Sequence, residues 1–157
     1  MAAIIIKFTT DNLGRVVFAA NVMTSDRKSL ESVIFKLDSG SDFTTINNDD
    51  LEYLGYTKAF LKSCPFHSTR ASTASGGSVL PLQYISNVSI MFGDRELQGC
   101  RLYFALGTNL RNLFGSDILK YFNREIDYDK GELRLTERIN KPQLSPGEVP
   151  IQIYSVE

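Results

Sequence analysis

The sequence predicts an all-β fold with two short helices, and three observations carry that prediction. Strand-length runs rich in Val, Ile, Phe and Thr recur at residues 2–8, 15–23, 32–37, 43–46, 79–91 and 96–105. Gly and polar clusters punctuate these runs at Gly14, at residues 24–29 and at Gly93-Asp94. Helix signals are confined to residues 47–55 and 117–122. With 157 residues, 43% of them hydrophobic and 22% charged, the chain is an ordinary globular one, long enough to bury a core as a single domain.

Each element has a local reason. In residues 47–55, Asn47 is the N-cap, Asp49 and Asp50 complement the helix dipole in the first turn, and Gly55 is the stop. Residues 68–78 are rich in small residues, and Gly76 and Gly77 accept the positive φ angles of a hairpin tip. Further on, Leu113-Phe114-Gly115 leads into the second helix. Residues 126–135 then read as strand, tight turn and strand. Pro142, Pro146, Gly147 and Pro150 make residues 141–150 an irregular connector, and residues 151–156 alternate apolar and polar as a strand does. Residues 1–140 therefore read as one domain, and 141–157 as a connector with a terminal strand.

Composition removes several classes of function. The net charge is −1 with Lys and Arg scattered, so no basic stripe points to nucleic acid or to an anionic membrane. The apolar run at residues 2–6 is too short to span a bilayer and lacks a basic leader, so a cytoplasmic protein is expected. Cys64 and Cys100 are too few for a disulfide framework or a zinc site, and read as structural thiols. Asn87-Val88-Ser89 matches a glycosylation acceptor but has no secretory context. The single His67 has no carboxylate at a helpful spacing, which leaves it as a loop or edge histidine. No Gly-rich phosphate loop precedes a helix, and no metal or cofactor is called for.

The segment with most chemical content is Phe35-Lys36-Leu37-Asp38-Ser39-Gly40-Ser41-Asp42-Phe43-Thr44-Thr45-Ile46. An apolar strand delivers one carboxylate to a tight Ser-Gly turn, and the chain resumes in β-branched residues. Far downstream lie Leu113-Phe114-Gly115, a helix, and Ile126-Asp127-Tyr128 with its following turn and strand. In order, spacing and residue type these motifs resemble the retropepsin-like (retroviral-type) aspartic proteases, over roughly residues 14–136.

The resemblance implies a closed-barrel-like acid protease fold and an aspartic endopeptidase. Only one Asp-Ser-Gly triplet is present and no internal repeat is visible, so the second carboxylate must come from another copy in a homodimer. On the family pattern Asp38 is catalytic, Ser39 grips the partner's loop, and Gly40 lets the substrate backbone approach. Ser41 and Asp42 lie beside the peptide, Thr44 is the buried hydroxyl, and Gly115 passes beneath the Asp turn. Ser75, Gly76 and Gly77 match the tip of a flap over a peptide or protein substrate. Ser116 departs from the Arg common in retroviral enzymes. A Ser41 hydroxyl that donates to Asp38 would hold its pKa down and favour acidic working conditions. Two other readings fit part of the chain. A dimeric peptide-binding or scaffold module would use the same fold with little turnover. A barrel holding a small ligand explains the strands but not the ordered motifs.

Overall fold

A computed structural model describes residues 3–67, 71–72 and 79–156 of the chain. The strands are β1 (Ile4–Lys7), β2 (Thr9–Thr10), β3 (Val16–Met23) and β4 (Leu30–Leu37), followed by helices α1 (Asn48–Tyr53) and α2 (Lys58–Ser63). Next come β5 (Ala71–Ser72), β6 (Val79–Leu80), β7 (Gln83–Phe92), β8 (Arg95–Phe104) and β9 (Leu113–Phe114). Helix α3 (Ser116–Leu119), β10 (Phe122–Asp127), β11 (Glu132–Glu137) and β12 (Gln152–Ser155) complete the order.

The main sheet runs β12-β8-β7-β3-β4-β9, with β2 paired to β3. A second sheet, β1-β11-β10, is antiparallel throughout, and β5 pairs with β6. Strand β3 shows why the sheet has one inner face. Val16, Phe18, Ala20 and Val22 are buried, while the residues between them are partly or fully exposed. Phe114 is fully buried, with Phe18, Phe35 and Phe92 at centroid distances of 5.3, 5.9 and 5.9 Å. Each such ring contributes roughly 1.5–3 kcal/mol by leaving water. This aromatic cluster sits directly under the chain segment that carries Asp38.

The structure corrects several expectations. Residues 43–46 begin with a bend at Phe43 and are buried from Thr44 onward, but they form no strand ladder. Thr45 exchanges hydrogen bonds with Leu113, while Thr44 and Ile46 bond Tyr103 on the other side. The segment is a wedge between two strands, joined to each by a single bridge at Thr45 and extending neither ladder. Residues 79–91 break into β6 and β7 at Pro81, which has no N–H to give a ladder. A third helix, α2, was not expected; the Thr57 side chain caps it by accepting from Phe60 N–H at 3.1 Å. Helix α3 is shorter than the predicted 117–122. Arg138 N–H takes the Tyr121 carbonyl at 2.9 Å, and Phe122 already opens β10.

Both terminal strands have partners in their own chain. β1 pairs with β11 in register Ile4↔Leu135 to Lys7↔Glu132, and β12 pairs with β8 from Gln152↔Gln98 to Ser155↔Arg95. No described helix is long and apolar enough to cross a membrane.

Candidate active site

Strand β4 ends at Leu37, and the next residue, Asp38, begins a tight turn. Ser41 N–H closes the turn on the Asp38 carbonyl at 3.1 Å, and Asp38 N–H donates to the Phe114 carbonyl at 3.1 Å. The carboxylate oxygen Oδ1 accepts from Gly40 N–H at 3.0 Å. Its other oxygen has no partner among the described residues, and the residue is partly exposed. A carboxylate is thus held by backbone on one side and left open on the other. Ser39 and Gly40 are exposed at the turn.

Beneath the turn, β4 and β9 run parallel, with Lys36 opposite Leu113 and Leu37 opposite Phe114. This pairing carries Gly115 under residues 41–43. A Cβ built on Gly115 would lie 2.4 Å from the Phe43 carbonyl oxygen and 2.8 Å from that of Ser41. Gly115 has φ −99°, which any residue adopts, so space alone excludes a side chain here. Ser116 N–H donates to the Ser41 carbonyl at 2.8 Å, joining the helix start to the turn.

Thr44 lies at the centre of a buried polar knot. Its hydroxyl accepts from Gly115 N–H at 3.1 Å and donates to Asp117 Oδ1 at 2.7 Å, while its N–H donates to Asp117 Oδ2 at 3.1 Å. Ile118 N–H also donates to Asp117 Oδ1, at 3.0 Å. Burial pushes the Asp117 pKa up to about 6, and the lowering effect of these donors offsets burial only in part. Sequence reasoning placed Asp117 on a helix and gave it no role. Its partner Thr44 is remote in sequence, 73 positions away, so no local signal pointed to the contact.

The knot has a stability consequence of definite sign. The folded pKa of about 6 exceeds the ordinary 3.8, so between these values the native state binds more protons than the unfolded chain. The stabilising contribution is complete below 3.8 and is lost as pH rises through about 6. A shift of that size corresponds to roughly 3 kcal/mol. Melting temperature followed from pH 4 to 8 should fall across this window, and Asp117→Asn should flatten the fall. A slope that persists in the variant would place the titrating group elsewhere.

The Ser41 hydroxyl does not donate to Asp38. It donates to the Phe43 carbonyl at 2.7 Å, and one hydroxyl has one proton to give. The Asp38 carboxylate takes its bond from the Gly40 amide instead, so the expectation of an acidic optimum set by Ser41 loses its basis. Asp42 is exposed at the rim and has no ion pair among the described residues. Ser75, Gly76 and Gly77, the expected flap tip, lie outside the described residues.

A hollow of about 710 Å³ opens beside the turn. Asp42 and Phe43 form its near rim, Tyr84, Arg101 and Tyr103 its floor, and residues 145–149 its far wall. His67, expected as a bland loop residue, lines it too, with ring centroids 4.8 Å from Phe43 and 5.7 Å from Tyr103. The far wall is anchored by the Lys120–Glu148 ion pair at 2.7 Å and by Ile151 N–H, which donates to the Tyr121 hydroxyl at 3.1 Å.

The chain is similar to a retropepsin-like aspartic protease from Rickettsia conorii of known crystal structure. The TM-score is 0.57 and the identity 23%, over 85% of this chain and 89% of that one. The likeness establishes a retropepsin-like fold. No protein-family model matches the chain, and no curated protein matches it in sequence.

Proposed function

We propose that the protein is an aspartic endopeptidase whose active centre forms when Asp38 meets Asp38 of a second copy across a two-fold axis. The observation that carries this reading is the Asp38 carboxylate itself. It is fixed by one backbone amide, open on its other oxygen, and set on a turn that Gly115 supports from below. The retropepsin-like fold adds weight, and the single Asp-Ser-Gly turn makes the second copy necessary.

Two carboxylates at hydrogen-bonding distance cannot both ionise readily, so the pair shares one proton. The ionised Asp38 takes a proton from a water lodged between the two, and the water oxygen attacks the scissile carbonyl carbon. The protonated partner donates to the carbonyl oxygen as it becomes tetrahedral. A proton then passes from the pair to the amide nitrogen, the C–N bond breaks, and an acid and an amine leave. Ser39 and Gly40, exposed beside Asp38, face the partner loop and the peptide backbone. The 75–77 segment is the proposed cover over the substrate, and the terminal strands β1 and β12 are candidates to extend the dimer contact.

The test is incubation with a mixed peptide library across pH, with and without a statine-type transition-state inhibitor, and new termini read by mass spectrometry. Inhibitor-sensitive cleavage is expected, with specific activity that rises with the dimer fraction measured by sedimentation. An active monomer would overturn the shared-dyad reading.

A further inference from the structure

Two cations line the hollow beside Asp42, and they differ in one respect. Lys120 is neutralised by Glu148 at 2.7 Å. Arg101 forms no ion pair with any described carboxylate. Its guanidinium carbon lies 4.2 Å from the centroid of the Tyr84 ring. One terminal nitrogen donates to the Tyr103 hydroxyl at 3.4 Å, and the other to the Gly147 carbonyl at 3.5 Å. These contacts hold the guanidinium in place and are all to neutral groups. A guanidinium has five N–H donors, so several remain for a ligand, in a geometry that suits a carboxylate.

The acids that share the hollow do not fill this role. Glu148 is committed to Lys120, and Asp117 to Thr44 and Ile118. Asp42 is exposed at the rim, where solvent and salt screen it. A partly buried cation on an aromatic floor, preorganised and unneutralised, is a receptor for a negative group. The hollow also begins at the residues that follow the Asp38–Ser41 turn. An extended peptide points alternate side chains to one face, so a substrate side chain that flanks the scissile bond is the group the hollow would receive.

We propose that Arg101 receives an acidic side chain of the substrate, bound in the hollow between Asp42 and the 145–149 wall, outside the scissile pair. The substrates are then peptides with Glu or Asp at that one position. The inference rests on the endopeptidase reading for its substrate, and its test separates the two.

Peptide pairs that differ only by Glu or Gln at each position flanking a cleaved bond are compared by kcat/KM. The wild-type protein should favour Glu at one position by about tenfold, the scale of one charge-assisted contact partly open to water. Arg101→Gln should bring that ratio close to one, and Arg101→Glu should turn the preference toward Lys. A wild-type ratio near one, or a ratio that survives in Arg101→Gln, would overturn the assignment. So would a fall for both peptides in step with a lowered melting temperature, since Arg101 would then be a brace for the wall. Binding of the labelled peptides to Asp38→Asn protein, read by anisotropy, needs no cleavage. Arg101-dependent binding of the Glu peptide, with no cleavage by the wild type, would end the endopeptidase reading and keep the receptor. Cleavage without acid preference would do the reverse.

Discussion

Asp38→Asn is expected to reduce peptide cleavage by roughly 10³-fold or more, because it removes both the base that takes the water proton and the acid that donates to the carbonyl. The fold should barely notice. Asn keeps an oxygen to accept from Gly40 N–H, and its amide nitrogen replaces the oxygen that has no partner among the described residues. A loss of stability within about 0.5 kcal/mol is therefore expected, as for a surface change without special contacts. The dimer should hold at least as well as in the wild type near neutral pH, since two amides facing each other carry no like-charge repulsion. The measurement is kcat/KM on one cleaved peptide, alongside thermal melting and sedimentation of the same preparation. Substantial activity in this variant would move the catalytic assignment away from Asp38. Peptide binding without turnover by the wild type would instead favour the capture-module reading.

What the sequence made legible were features set by local rules. The Asp38 turn follows from an apolar strand that runs into Ser-Gly, and the α1 boundaries follow from Asn47 and Gly55, whose φ is +97°. Gly115 was legible through the Leu-Phe-Gly pattern, since a strand that passes directly under a turn tolerates no side chain. What stayed hidden depends on partners far away in sequence. The role of Asp117 exists only because Thr44 lies beside it, and that of Arg101 only because Tyr84, Tyr103 and Gly147 surround it. His67 does stand in a loop, but no spacing along the chain reveals that it packs on Phe43. Residues 43–46 have the composition of a strand, yet tertiary context made them a wedge that serves two neighbours by turns. Helix α2 has only six residues, too few for a helical period to show.

The largest stability effect is expected from Gly115→Ala. The new methyl carbon would sit 2.4 Å from the Phe43 oxygen, 2.6 Å from its carbonyl carbon and 2.8 Å from the Ser41 oxygen. All three are backbone atoms, so no side chain can rotate aside to make room. Relief requires the β9–α3 junction and the Asp38 turn to separate. That movement strains the Asp38 N–H bond to Phe114, the Ser116 N–H bond to Ser41 and the Gly115 N–H bond to Thr44. Overpacking together with three weakened hydrogen bonds amounts to several kcal/mol, comparable with the roughly 5–15 kcal/mol that holds a whole domain folded. The variant is expected to be largely insoluble or unfolded, as read by circular dichroism and urea denaturation. Gly107→Ala is the informative control. Its φ of +83° strains any side chain, but nothing lies within 4 Å of the added carbon. That change should cost only about 1 kcal/mol, the ordinary conformational penalty. If Gly115→Ala melted no lower than Gly107→Ala, the chain crossing under the turn would be looser than these distances require, and Gly115 would lose its place as the support of Asp38.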